Sequence, residues 1–118
     1  MQAADAWELR YYRTAGGRVP FREWRESLSD RKAAAAIRAR LRRIQRGLFG
    51  DCKPVGDGVL EFRIDLGSGY RGYFFGSGRQ VILLLCGGDK RTQDRDIENA
   101  KSYRRDYEQR TRGTLDSG

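Results

Sequence analysis

Asp89, Lys90 and Arg91 follow an uninterrupted apolar run, Val81 to Cys86, from which only Gly87 and Gly88 separate them. A run of this kind reads as a buried strand. Two glycines let the backbone turn at its end without steric cost. The strand would then carry a carboxylate, an ammonium and a guanidinium to the rim of a rigid scaffold, a common way to present functional groups. A charged turn without chemistry is the other reading of the same residues. Arg63 and Arg71 fall on neighbouring predicted strands. Each guanidinium is a planar fork that matches two phosphate oxygens. Glu61, Arg63 and Asp65 share one polar strand face, so Arg63 either pairs with its carboxylate neighbours or reaches a ligand. Tyr70 and Tyr73 either pack within the sheet or stack on unpaired bases.

Composition narrows the chemistry. The chain has 118 residues, no histidine, and a formal net charge of +8. Without histidine there is no His-based triad, His metal cluster or His general base. The excess positive charge favours phosphate-rich or acidic partners. The two cysteines form no disulfide framework, which points to a reducing cytosol. Cys86 reads as a small core residue and Cys52 as part of a loop. No apolar run approaches the roughly 18 residues of a membrane span, and no secretory signal opens the chain. We therefore expect a cytoplasmic protein without membrane contact, metal or cofactor.

The elements that must position these groups follow from periodicity. Trp7, Leu9 and Tyr11 alternate with charged residues, as in a half-buried strand. Pro20 suits the first turn of a helix that aligns Phe21, Trp24 and Leu28. Ser29 or Asp30 can cap a second helix, whose stripe is Ala34, Ile37, Leu41, Ile44 and Leu48. Residues 31–46 of that segment carry seven basic side chains and no acidic one. Gly47 suits its end, and the two helices read as a hairpin. Residues 50–58 read as a loop. Leu60, Phe62 and Ile64 mark the next strand, Tyr70 to Phe75 another, and Val81 to Cys86 a central one. Gly72, inside a strand, signals a close approach of another backbone. A helix from Thr92 to about Arg110 carries Ile97, Ala100, Tyr103 and Tyr107 on one face. The expected fold is α+β and two layers thick: an N-terminal strand, a helical hairpin, a three-stranded antiparallel meander completing one mainly antiparallel sheet, and a C-terminal helix. One domain over residues 1–113 precedes a flexible tail at 114–118.

Six segments in this order resemble a known group: Phe21-Arg22-Glu23-Trp24, Phe49 to Gly58, Glu61-Phe62-Arg63-Ile64-Asp65, Gly69-Tyr70-Arg71, Leu84 to Lys90, and Gln93 to Ile97. Together they are similar to RelE/ParE-superfamily toxins of type II toxin–antitoxin systems, nearest the HigB-like addiction module killer proteins. The resemblance implies a RelE-like fold and a metal-independent, ribosome-dependent mRNA endoribonuclease in which the RNA 2′-hydroxyl attacks the adjacent phosphate. It implies contributions from Arg71, Arg63, Lys90 and Arg91; joined to the reading of the residues above, the expected catalytic set is Arg71, Lys90, Arg63 and Asp89, with substrate contacts from Arg91, Glu61, Tyr70, Tyr73 and Lys53. Several members use a histidine or a late tyrosine for proton transfer. This chain has no histidine, and Tyr103 and Tyr107 match no motif position, which leaves Asp89 or Glu61 for that role. The implied partners are the ribosome, mRNA and a cognate antitoxin of helix-turn-helix type, with a monomer alone and a hetero-oligomer in complex. Alternatives are a ParE-like toxin that binds DNA gyrase and a plain nucleic-acid-binding protein.

Overall fold

The computed structural model describes residues 6–117, with side chains through residue 112. Five strands form one sheet in the order β1-β5-β4-β3-β2. They are β1 (Glu8–Tyr11), β2 (Cys52–Gly56), β3 (Val59–Ile64), β4 (Tyr70–Gly76) and β5 (Val81–Asp89). β2 to β5 pair antiparallel in sequence order, and β1 lies parallel to β5. β5 thus sits between β1 and β4, which is why its apolar run has no polar alternation. Helices α1 (Pro20–Ser27) and α2 (Arg31–Gln45) cover one face, and α3 (Gln93–Ser117) covers the other.

Several sequence expectations need correction here. The molecule has three layers rather than two, because α3 folds back over the sheet and buries Ala100 against Tyr73, Phe75, Leu83 and Leu85. The segment expected as a loop at 50–58 contains β2 and its turn into β3. Lys53 and Pro54 disguise it, since an edge strand tolerates both. α3 also continues past Arg110 to Ser117, so the backbone of residues 114–117 is helical where a tail was expected. Gly118 and the start of the chain lie outside the described residues.

Local chemistry accounts for the helix ends. Pro20 is the first residue of α1. Asp30, not Ser29, caps α2, its carboxylate accepting from the amides of Lys32 (2.9 Å) and Ala33 (3.1 Å). The buried stripe of α2 is Ala33, Ile37, Leu41 and Ile44, while Leu48 lies past the helix end and is exposed. This stripe meets Phe21, Phe62, Ile64, Phe74, Ile82 and Leu84 in one core cluster.

Candidate active site

The glycines after Cys86 do not turn the chain. β5 continues through them to Asp89, and they are small because neighbours press on the strand. A Cβ on Gly87 would overlap the Trp24 ring, and one on Gly88 would overlap the Asp96 carboxylate. On β4, a Cβ on Gly72 would overlap the Phe62 ring, so a side chain and not the expected second backbone makes the close approach. The chain turns only after Asp89, in a short 3-10 segment, Lys90–Thr92, that leads into α3.

Strand register decides which charged groups meet. Lys53 pairs with Glu61, Glu61 with Tyr73, and Tyr73 with Cys86. In the next row Arg63 pairs with Arg71, and Arg71 with Gly88. Register partners project to the same face of a sheet, so both arginines flank Glu61 on the α3 side.

Glu61 is fully buried. Its Oε2 accepts from the Tyr73 hydroxyl (2.9 Å) and from Nε2 of Gln93 (2.9 Å). Its Oε1 accepts from Arg63 Nε (3.0 Å), and Arg71 Nε lies 3.7 Å from Oε2. Burial opposes the charge on this carboxyl, but the hydrogen bonds from Gln93, Arg63 and Tyr73 and the charge of Arg63 outweigh it and hold the group below its ordinary value. Burial and the Glu61 carboxylate push the Tyr73 phenol far above its ordinary value. Glu61 is therefore an anionic hub that fixes two guanidinium groups, not a surface contact.

Arg71 is itself largely buried, with Nη1 donating to the Gly69 carbonyl (3.2 Å) and Nε lacking a hydrogen-bond partner. An unmet donor of this kind is costly in an interior unless a ligand completes it. Arg63 is more open, its side chain 38% exposed. The two arginines line a cavity of about 180 Å³ together with Asp51, Ile64, Asp65, Gly69 and Tyr70. That is below the ~300–1,000 Å³ that enclose a drug-sized ligand, and suits one linkage of a polymer entering from solvent. Lys90 is exposed beside its mouth: Lys90 Cβ and Arg71 Nη1 both border the side-chain direction of Gly69. A larger cavity, about 310 Å³, lies where Tyr11, Arg22 and Arg25 meet Ile37 and Arg38. Glu26 is the single carboxylate in its lining, and no register-matched arginine pair faces it.

The structure thus brings Arg63, Arg71, Tyr70 and Asp65 to one pocket, with Lys90 at its edge. Other expected site residues have different work. Tyr73 is wholly buried and cannot stack on a base. Glu61 is equally enclosed, and its lowered pKa makes its carboxylate a weak base and so a poor proton carrier. Asp89 caps the 3-10 turn, accepting from the Arg91 amide (2.9 Å) and from Arg91 Nη2 (3.2 Å). Burial works against its charge, yet these bonds to Arg91 hold it below its ordinary value. It does not line the pocket, and neither do Arg91 and Lys53, both exposed. Cys86 is buried, and its thiol is pushed up by burial and by Asp96. Gln93 and Asp51 have site positions that the sequence did not disclose. Gln93 opens α3 directly after the charged turn, and only the return of that helix over the sheet brings it to Glu61. Among the described residues no three His, Cys, Asp or Glu side chains gather as a metal site. No described helix is long and apolar enough to cross a membrane.

Two comparisons with known proteins bear on this arrangement. The profile of a family described as "Phage derived protein Gp49-like (DUF891)" matches residues 23–109, which include every pocket residue. An uncharacterized protein of Haemophilus influenzae (strain Rd) is 51% identical over 83 residues, covering 70% of this chain and 84% of that one.

Proposed function

Because the chain belongs to the phage-derived Gp49-like family, which is associated with toxin–antitoxin modules, we propose that it is the toxin of such a module and acts as a metal-independent endoribonuclease on ribosome-bound mRNA. The observation that carries this reading is the register pairing of Arg63 with Arg71, both held by one buried carboxylate at a pocket open to solvent. Such a pair grips the non-bridging oxygens of a phosphodiester through fixed donors, without reorganisation as charge develops. Tyr70 lines the same pocket and offers a ring to an adjoining base. Asp65 takes the proton of the attacking 2′-hydroxyl. The 2′-oxygen bonds to phosphorus, the bond to the 5′-oxygen breaks, and that oxygen takes a proton from water at the open mouth. The products are a 2′,3′-cyclic phosphate and a 5′-hydroxyl end. Lys90 adds positive charge at the entrance.

The gyrase-binding alternative would need a free apolar stripe on α3. That stripe, Ile97, Ala100, Tyr103 and Tyr107, is covered by the chain's own sheet. The toxin reading brings with it a cytoplasmic site of action and a neutralising antitoxin, of helix-turn-helix type, in a hetero-oligomer with a toxin that is monomeric alone.

Primer extension on mRNA, with the purified chain and programmed ribosomes, tests the reading. The wild type should create new ends. Arg63→Ala and Arg71→Lys should each lower cleavage at least about tenfold, since the second keeps the charge and loses the fork. Wild-type rates in both folded variants, or no new ends from the wild type, would sink the proposal.

A further inference from the structure

Arg31, Arg38 and Arg42 lie on the outward face of α2, opposite its buried stripe, and Arg46 follows at its C-cap. At ~1.5 Å rise per residue, Arg31 and Arg42 stand roughly 16 Å apart along the axis. Lys32 and Arg43, with the same separation, form a second row beside them. All six are exposed, and among the described residues none makes a side-chain hydrogen bond or ion pair. Arg40 is excluded from these rows, since it turns inward over the Phe62 ring. The cations of α3 behave oppositely: Lys101, Arg104, Arg105 and Arg110 all have carboxylate partners.

Only Ala35 and Ala39 lie between the two rows, and the large exposed hydrophobics, Tyr11, Leu48 and Leu66, are elsewhere. A protein partner needs a buried apolar or aromatic anchor at the centre of its contact. A phosphate backbone needs none, because released counterions supply the driving force. The rows also begin beside the candidate pocket: Asp30, the cap of α2, and Tyr70, a pocket residue, both border Gly67.

From these observations we infer that the outer face of α2 is a docking surface for the sugar–phosphate backbone of structured RNA, separate from the pocket that takes the single strand. The commitment to RNA rests on the ribonuclease reading above, while the phosphate contact itself does not. The duplex lies along α2 with its phosphates against the two rows, and the strand to be cut enters at the Tyr70 end.

The test is fluorescence anisotropy of a labelled blunt RNA duplex, which offers no single strand to the pocket, titrated with the full chain at several salt concentrations. The triple variant Arg31→Gln/Arg38→Gln/Arg42→Gln should bind at least about tenfold more weakly at moderate salt. The slope of its log K against log salt should be shallower by about two to three, as expected from ~0.7–0.9 per lost phosphate contact. Its thermal unfolding should match the wild type, because the three side chains are exposed and unpaired. Arg71→Lys should keep wild-type duplex binding, so failure of the pocket reading and failure of this one are distinguishable. Unchanged affinity and slope in the triple variant would overturn the inference. So would tighter binding of a DNA duplex of the same sequence, or retained RNA binding with loss of a Glu-rich helical peptide that the wild type holds.

Discussion

The two faces of the sheet are covered by helices rich in charged residues that solve the problem of charge differently. Under α3 most polar groups find partners within the molecule, with Arg71 Nε and Arg104 Nε as the exceptions. The Tyr12 hydroxyl donates to Asp106 (2.6 Å), Arg110 pairs with the same carboxylate (2.7 Å), Arg104 reaches Glu108 (2.9 Å), and Thr92 donates to Asp96 (2.5 Å). Gln93 extends that pattern into the sheet by reaching Glu61. Under α1 and α2 the contact is apolar and depends on shape, with Phe21 packed edge-to-face on Trp24 and Phe62. Apart from Arg40, which turns inward over the Phe62 ring, the cations of α2 are turned outward and left without partners. The difference teaches which charges build the molecule and which are available to something else. Self-paired groups on the α3 side hold the pocket in shape, while unpaired ones on the α2 side are free for a ligand.

The largest expected effect lies on the α3 side. Glu61→Ala leaves Arg71, Tyr73 and Gln93 facing an empty centre. Breaking a buried charged cluster in this way typically costs about 3–5 kcal/mol, and urea unfolding should show it. A loss below about 1 kcal/mol would mean that the hub is not what holds this face together. Next comes a shape test on the other side. Gly72→Ala drives a methyl into the Phe62 ring and should cost about 1–3 kcal/mol. Adding Phe62→Leu should return part of that loss, and a double variant no better than additive would contradict the steric account.

The smallest effects are those of pH. Glu61 is held below its ordinary value, so its share of stability is present above the usual carboxylate range, near pH 4, and disappears as pH falls through its depressed pKa. The acid-limb decline should be shallower in Glu61→Gln. Tyr12 runs the other way. Burial, with the hydrogen bond to Asp106, pushes its phenol up to about 12. Its contribution is complete below pH ~10 and fades as pH rises toward that value. Tyr12→Phe should blunt this alkaline loss, and an unchanged alkaline limb would place the phenol outside the network.

Which of these features could be read before folding follows from their range. Strands such as β3 and β5, the helical stripes and the Pro20 start are local, and alternation or 3.6-residue spacing expresses them directly. The placement of Arg63 and Arg71 on neighbouring strands was legible too, because a meander with short turns leaves few pairings, while their direct pairing emerged only from the sheet register. β2 escaped because a short edge strand needs no apolar alternation. The roles of Tyr73 and Glu61 were misjudged because a polar residue on a strand face looks the same whether water or a helix covers it. Gly87 and Gly88 read as a turn, since nothing local reveals that Trp24 and Asp96 press against them.

By itself, then, the order of residues determined the elements, the excess of positive charge, the absence of imidazole chemistry and the two arginines on adjoining strands. Tertiary structure alone decided that α3 returns over the sheet. That return encloses Glu61, brings Gln93 to it, takes Tyr73 out of solvent and commits Asp89 to a turn. The physical reason is that burial and hydrogen-bond satisfaction are set by contacts between segments remote in sequence, while secondary structure is set largely by near neighbours.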